Sequence, residues 1–252
     1  MSGFSNLVSI ITPCYNPGLE LLETIKSVQK QTYKNYEHII VDDCSTQPLP
    51  EEVLACIEDD KQIVFIRRSW NAGPAVTRNR ALSCARGRFI AFLDSDDLWH
   101  PEKLEQQISF MLTKGVSFSY TSYEVFDAKG KILGLRTPPP TLTYKDILKS
   151  NQIGCLTAIY DAQVLGKVYM PNIVKRQDMG LWLKILRNIN CAQGLVDKPL
   201  ARYRVGTVSL SSNKFSVLKY QWRIYREVEK LSFIKSINYF RHYAYKGLTR
   251  KI

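Results

Sequence analysis

The chain has 252 residues, enough for one α/β domain with a full core or for two small packed halves. Its composition, with 45% hydrophobic and 23% charged residues, is typical of a soluble globular protein, and its longest apolar runs are too short to cross a bilayer. Six scattered cysteines without a Cys-x-x-Cys pair, and no recognisable signal peptide, predict reduced thiols in a cytosolic protein.

The net charge of +12 is distributed unevenly. Residues 214–252 contain ten Lys or Arg and two Asp or Glu, a net +8, whereas residues 1–213 have a net charge of only +4. A basic segment can bind nucleic acid or an anionic membrane. No nucleic-acid-binding motif is present, so we expect no nucleic-acid partner.

Strands and helices alternate four times in the first part of the chain. Short apolar runs predict strands, and apolar residues at spacings of three or four predict helices. The predicted strands are residues 7–11, 36–41, 63–66 and 89–93, and the predicted helices are 19–31, 51–57, 75–85 and 101–112. This alternation indicates a parallel sheet with helices on its faces.

Polar and aromatic side chains follow three of these strands. Tyr15 and Asn16 follow the first, Asp42 and Asp43 end the second, and Asp94 to Asp97 follow the fourth. Ligands of open α/β sheets bind at this carboxyl edge. Tyr15 could stack on a base, and an Asp could accept a base N–H. All of these residues could instead be turn or rim residues.

The carboxylates that follow the fourth strand predict a metal–diphosphate site. Asp94 and Asp96 are crowded, and a Mg²⁺ or Mn²⁺ ion between them would relieve their repulsion. The alternative is that these Asp residues cap the next helix. Neither a P-loop nor a Gly-x-Gly-x-x-Gly fingerprint is present.

The pattern changes after residue 116. Residues 117–126 alternate as a strand does, 127–130 form a turn, and 131–135 are predicted to return as a hairpin. Thr143 and Asp146 are spaced as a capping box, and residues 151–160 are predicted to form another strand. We expect a mixed sheet built directly onto the first half.

Several motifs in order give the chain a family likeness. The chain resembles family 2 glycosyltransferases, inverting nucleotide-sugar enzymes with the GT-A fold. The matching segments are residues 8–16 (VSIITPCYN), 40–46 (IVDDCST), 71–79 (NAGPAVTRN), 87–97 (GRFIAFLDSDD) and 177–182 (QDMGLW). The likeness spans about residues 7–210, and the combination is far more specific than the Asp-x-Asp pair alone.

The resemblance implies a role for each matching residue. Asp178 would be the catalytic base, Asp96 and Asp94 the metal ligands, and Trp182 an acceptor contact. The residues that would bind the donor are Pro13, Tyr15, Asn16, Asp42, Asp43, Arg78, Asp94, Ser95 and Arg204. The alternative for Asp178 is a helix cap before residues 179–186.

The chain also departs from the family pattern. Cys44 stands where the family often has Gly, and Gln177 where many relatives have Glu. No His follows Tyr203 and Arg204, so a His metal ligand is absent there. The Gln-x-x-Arg-Trp motif of processive synthases is also missing, which implies transfer of one sugar rather than polymerisation.

The basic segment has apolar residues at helical spacing: Leu218, Trp222, Tyr225, Val228, Leu231 and Ile234. Two interpretations remain for this tail: the stripe packs on the body, or it contacts anionic lipid. Up to residue 231, packing of the stripe on the body is at least as well supported as contact with lipid. For residues 233–252, with their interleaved Tyr, Lys and Arg, we expect membrane contact.

We therefore expect a GT-A domain over residues 1–213 and a basic helical tail over 214–252. Residues 1–97 would bind the nucleotide-sugar and 98–213 the acceptor. The resemblance implies transfer of one hexosyl or N-acetylhexosaminyl group from a nucleotide-diphosphate donor, a UDP-sugar, to a glycan or lipid-linked saccharide. The reaction would belong to polysaccharide synthesis at the inner face of the cell membrane. Rival hypotheses are a nucleotidyltransferase and a non-catalytic sugar-nucleotide or membrane-binding protein.

Overall fold

One mixed β-sheet runs through the protein. The computed structural model describes residues 6–206 and 214–249, without the side chains of 214–216 and 246–249. In these residues the strands are β1 (Val8–Cys14), β2 (Tyr36–Asp42), β3 (Ile63–Arg67), β4 (Phe89–Phe92), β5 (Leu98–Trp99), β6 (Phe118–Phe126), β7 (Ile132–Arg136), β8 (Thr141–Leu142), β9 (Ile159–Asp161) and β10 (Ala192–Arg204).

Helices cover the sheet and form the tail. They are α1 (Glu20–Gln29), α2 (Glu51–Asp59), α3 (Pro74–Cys84), α4 (Lys103–Lys114), α5 (Tyr144–Lys149), α6 (Ala162–Leu165), α7 (Gln177–Leu186), α8 (Lys214–Arg223) and α9 (Phe233–Thr249). A 3₁₀ turn spans Cys155–Thr157, and a π-helical segment, Ile224–Val228, continues α8.

The strand order is β3-β2-β1-β4-β9-β6-β10-β5, with β7 paired to β6 and β8 to β10. Strands β1 to β4 are parallel, which confirms the sheet predicted from their alternation with helices. Strand β9 runs antiparallel to both β4 and β6. The second half therefore continues the same sheet as the first, with no break in strand pairing.

Burial explains why the first strands are continuous apolar runs. Every residue of β2 and β4 is buried, because helices cover both faces of the sheet. Several polar groups of these strands are paired: Ser9 donates to Glu37 at 2.6 Å, and Thr12 Oγ1 lies 2.8 Å from His38 Nε2, whereas the buried His38 Nδ1 has no partner among the described residues. Satisfied polar groups of this kind stabilise a buried sheet at little cost.

The predicted strand over residues 151–160 is confirmed only at its end, where β9 spans Ile159–Asp161, and Cys155–Thr157 form a 3₁₀ turn instead. Local hydrogen bonds favour a turn there: the Thr157 amide and hydroxyl both donate to the Gly154 carbonyl, at 2.9 and 2.8 Å. Such local bonds compete with strand pairing. The capping box is confirmed, since Thr143 and Asp146 bond reciprocally at the start of α5.

The tail packs on the body. Ile224 and Tyr225 are fully buried, and Tyr225 donates to the Leu148 carbonyl at 2.6 Å. Tyr239 and Phe240 of α9 also pack against the main core, so these two side chains are not available for the membrane contact predicted for residues 233–252. Residues 250–252 lie outside the described part of the chain, and membrane contact by the other side chains stays a prediction. No helix within residues 6–206 and 214–249 is long and apolar enough to span a membrane.

Candidate active site

The carboxyl ends of β1 and β2 bring the first group of predicted site residues together. Cys14 pairs with Asp42, and the Asp43 amide donates to the Cys14 carbonyl at 2.9 Å. The Asn16 amide then donates to Ser45 Oγ at 2.7 Å. Pro13 is half-buried inside β1, and the Tyr15 ring is exposed beside it.

Asp42 is buried at the end of β2. One carboxylate oxygen accepts from the Ser45 amide and hydroxyl, and the other lies 3.3 Å from Arg67 Nε. Cys44, between them, has a left-handed backbone with φ of 61°. Glycine adopts this conformation without strain, which explains why a Gly is expected there.

Asp43 supports the loop that leads to α3. Its carboxylate accepts from the Gly73 amide at 2.7 Å, from the Ala72 amide at 3.1 Å and from Arg68 Nη1 at 2.9 Å. Gly73 has φ of 84°, and Pro74 follows in the favoured first position of the helix. Asp43 therefore positions the helix that carries Arg78.

Arg78 lies buried beneath the edge and donates from Nη2 to Asp94. Its Nε and Nη1 groups are buried and have no hydrogen-bond partner among the described residues. Burial alone lowers the pKa of Arg78, but the charge and hydrogen bond of Asp94 and the charge of Asp178 raise it above its ordinary value. A permanently charged guanidinium with free donors fits an anionic oxygen such as that of a phosphate.

The carboxylates after β4 are electrostatically strained. Asp96 is at the solvent edge, yet partial desolvation and the charge of Asp94 raise its pKa to about 6. Burial and the charges of Asp96 and Asp94 raise the pKa of Asp97 well above its ordinary value. Ser95 is half-buried between them. The predicted alternative, a helix cap, is wrong, because Glu102 occupies the N-cap of α4.

These carboxylates fit a divalent cation. Within the described residues no group of three or more His, Cys, Asp or Glu side chains is placed to hold a metal by itself. Mg²⁺ commonly takes one or two carboxylates and completes its shell with phosphate oxygens and water. Asp94 and Asp96 match that donor set, with phosphate supplied by a substrate.

Arg204 joins the end of β10 to this group. Its amide donates to Asp97 at 2.9 Å, its Nε donates to the Asp96 carbonyl at 2.9 Å, and its guanidinium pairs with Glu23. The guanidinium also lies 4.6 Å from the centre of the Phe126 ring. Arg204 therefore lies beside Asp96 at the carboxyl edge of the sheet, where it was predicted to approach the donor. Its contacts with Glu23 and Asp97 were not predicted from the sequence.

Asp178 lies in the first turn of α7. Arg176, with a left-handed φ of 65°, is the N-cap residue, and no side chain caps this helix, so the cap alternative for Asp178 is wrong. Asn151 donates to the Asp178 carboxylate at 2.8 Å. Burial and then the charges of Asp94 and Asp178 raise the pKa of the nearby Cys155 thiol. The two carboxylates, 84 positions apart in sequence, therefore both lie within electrostatic range of the same thiol.

Trp182 is not placed to contact an acceptor, and that prediction is wrong. Its side chain is fully buried, with its ring centre 5.1 Å from that of Phe118 and 5.6 Å from that of Phe92. It lies one helical turn after Asp178, on a helix that is buried almost all round. Trp182 therefore anchors the helix that carries Asp178.

Sequence comparison with known proteins finds similarity to glycosyltransferases. The model of the family described as Glycosyl transferase family 2 matches residues 9–165. The putative teichuronic acid biosynthesis glycosyltransferase TuaG of Bacillus subtilis is 40% identical over 253 residues, covering 100% of both chains. The Escherichia coli UDP-Glc:alpha-D-GlcNAc-diphosphoundecaprenol beta-1,3-glucosyltransferase WfgD is 42% identical, over 86% of this chain and 85% of its own.

Solved structures agree at the level of the fold. Staphylococcus aureus TarS 1-349, in complex with UDP-GlcNAc, has a TM-score of 0.72 and 22% identity, over 97% of this chain and 76% of that chain. The mannosyltransferase PcManGT of Pyrobaculum calidifontis, in complex with GDP-Man and Mn²⁺, has a TM-score of 0.69 and 15% identity, over 98% and 76%. The architecture is the GT-A glycosyltransferase fold.

This chain belongs to glycosyltransferase family 2 and is an enzyme of that class. The resemblance expected from its motifs is confirmed, and so is the expected fold class. The family model ends at residue 165, so the helix with Asp178 and the tail lie outside the matched region.

Proposed function

We propose that the enzyme transfers one hexosyl or N-acetylhexosaminyl group from a UDP-sugar to a lipid-linked saccharide, with inversion, in cell-surface polysaccharide synthesis. The observation that carries the proposal is the cluster of Arg78, Asp94, Asp96 and Asp178. It combines free buried N–H donors, carboxylates suited to a cation, and a separate carboxylate on another helix. The name of WfgD, a transferase from UDP-Glc to a diphosphoundecaprenol-linked GlcNAc, supports the choice of donor and of acceptor, and the role of TuaG in teichuronic acid biosynthesis supports polysaccharide synthesis.

The nucleoside would lie over the ends of β1 and β2. The exposed Tyr15 ring offers a face for stacking on uracil, beside Pro13. Asn16 accepts from the Thr46 and Gln47 amides at 2.8 and 3.1 Å and so fixes the loop beneath the base. Asp42 would accept a base N–H through the oxygen that now faces Arg67. Asp43, whose carboxylate is occupied by the loop before α3, would act only by positioning.

The diphosphate would lie between α3 and the end of β4. Arg78 would donate from Nε and Nη1 to phosphate oxygens. Ser95 and Arg204 would lie at the same edge of the sheet. Asp94 and Asp96 would hold a Mn²⁺ or Mg²⁺ ion, and such an ion would supply Lewis-acid stabilisation of the negative charge on a leaving diphosphate. Arg78 and Arg204 add positive charge of their own at this point.

Asp178 would be the general base. As the acceptor oxygen bonds to the anomeric carbon, the bond from that carbon to the diphosphate oxygen breaks, and the hydroxyl proton passes to Asp178. One such displacement inverts the configuration. Asn151, which donates to Asp178, leaves the other carboxylate oxygen available and fixes the orientation of the side chain. General-base catalysis of this kind contributes about 10²–10⁴-fold in rate.

The enzyme would act at the inner face of the cell membrane as a peripheral protein. The outward side of α9 exposes Phe233, Ile234 and Ile237 beside Lys235, although its inward side packs on the body. Apolar and basic residues together on one helix surface suit an anionic lipid interface. This placement would bring the protein to an acceptor whose lipid is embedded in the bilayer.

Calorimetric titration and turnover assays test the proposal together. We expect UDP to bind in the presence of Mn²⁺, Asp96→Ala to abolish the dependence on metal, and Asp178→Asn to retain UDP binding while losing transfer. Asp59→Asn, an exposed carboxylate on α2, is the matched control and should change neither measurement. Preferential binding of GDP would replace the proposed donor, and full turnover by Asp178→Asn would refute the proposed base.

A further inference from the structure

The hairpin of β6 and β7 exposes apolar side chains that the catalytic proposal does not use. Ile132, Leu133 and Leu135 are 44%, 51% and 56% exposed. A Cβ at Gly134 would meet no atom within 4 Å, so the space beside this strand is open. Because β7 pairs only with β6 among the described strands, its outer edge is also free. Exposed apolar strands at a sheet edge commonly mark interaction sites.

Basic residues surround this apolar strand. Lys129, Lys131 and Arg136 lie within eight positions of one another, and residues 128–136 contain no Asp or Glu. Asp127, just before them, is engaged in the turn: its carboxylate accepts from the Lys129 amide at 2.9 Å and from the Lys131 amide at 3.0 Å. The surface of the hairpin therefore combines three large apolar side chains with a positive rim.

The hairpin begins at the candidate active site. Phe126, the last residue of β6, pairs with Ile132 and also with Arg204 of β10. The Arg204 guanidinium lies over the Phe126 ring and donates to the Asp96 carbonyl. A molecule held on β7 would thus be adjacent to the end of the sheet where the diphosphate and metal are proposed to bind.

We propose that the basic-apolar hairpin, residues 127–136, docks on an anionic lipid surface and holds the active-site edge against it. The inference deepens the proposed function and rests on its lipid-linked acceptor. A lipid interface satisfies both features of the hairpin, since acyl chains accept Ile132, Leu133 and Leu135 while phosphates neutralise the flanking cations.

A second copy of this chain suits the hairpin less well. Pairing of two β7 edges would align the strands but would also bring their Lys and Arg side chains together. Like charges facing one another across paired strands are destabilising. The positive rim therefore favours an anionic surface over self-association through this edge.

Vesicle sedimentation of the full chain tests the proposal without any activity measurement. The probes are phosphatidylcholine vesicles with and without phosphatidylglycerol. The hairpin variant combines Ile132→Thr, Leu133→Thr and Leu135→Thr, because threonine retains strand propensity. The control variant makes the same change at three other exposed apolar positions, Leu54, Val164 and Val174.

We expect wild type and the control variant to bind the anionic vesicles equally. The hairpin variant should bind at least about tenfold more weakly, and Lys129→Glu with Lys131→Glu should reduce the preference for phosphatidylglycerol. Circular dichroism checks that each variant is folded. Equal vesicle binding by the hairpin variant would overturn the proposal, as would a wild-type dimer that only the hairpin variant disrupts. Failure of sugar transfer would refute the proposed function and leave this measurement intact.

Discussion

Substitution of Gly180 by alanine tests how closely packing against Pro171, and against Ile224 of the tail, holds the helix of Asp178. Gly180 lies two residues after Asp178, and a Cβ there would be 2.4 Å from Pro171 Cγ and 3.4 Å from Ile224 Cδ1. Ordinary carbon contacts are about 3.5–4.0 Å, so α7 would have to move by about 1 Å away from the Pro171 ring.

The two energetic effects of Gly180→Ala have opposite signs. Overpacking of this kind costs up to about 3 kcal/mol, and the higher helix propensity of alanine returns about 1 kcal/mol. We therefore expect a net loss of about 2 kcal/mol in the free energy of unfolding, measured by urea denaturation. A shift of about 1 Å at a catalytic group can cost about 10²-fold in rate, so kcat should also fall while UDP binding is retained.

Gly134→Ala is the matched control, because a Cβ at that position meets nothing. It should leave the free energy of unfolding within about 0.5 kcal/mol of wild type. If Gly180→Ala is as stable and as active as Gly134→Ala, then the packing of α7 against Pro171 and Ile224 does not hold Asp178 in place.

Three further substitutions give separate tests. Burial lowers the pKa of Lys103 well below its ordinary value, so the unfolded chain binds a proton that the folded chain does not, and stability should fall as pH drops from about 10. Lys103→Met should therefore flatten the dependence of the free energy of unfolding on pH, measured by urea denaturation, and an unchanged pH dependence would contradict this. Trp182→Ala should cost about 3–5 kcal/mol in thermal or urea unfolding, whereas an acceptor contact at the surface would cost far less. Cys44→Gly should remove the strain of a left-handed backbone at a residue with a Cβ, and so raise the free energy of unfolding by up to about 1 kcal/mol. A lower free energy of unfolding would refute the strain argument.

The sequence was sufficient to predict the first half of the sheet. Each of its strands is a short apolar run bounded by polar residues, and the parallel order follows from the intervening helices. The crowding of Asp94 and Asp96 could also be predicted, because residues that closely follow the same strand must lie at the same edge of the sheet. The local sequence pattern was therefore enough to predict this part of the structure.

The second half depends on contacts that local pattern does not encode. Strand β10 contains Pro199 and two register shifts against β6, so it lacks a regular alternation. Asn151 contacts Asp178 across 27 positions, which no spacing rule identifies. Trp182 was assigned to the acceptor because it belongs to a family motif, but α7 is buried almost all round and leaves its ring no access to solvent.

The continuous sheet also restricts how the enzyme can move. Strand β9 pairs with β4 on one side and with β6 on the other, so it joins the two halves proposed to bind donor and acceptor. A hinge rotation between those halves would break the backbone hydrogen bonds between β4 and β9. Substrate-induced closure is therefore expected in the loops at the carboxyl edge, with the halves themselves behaving as one rigid unit during turnover.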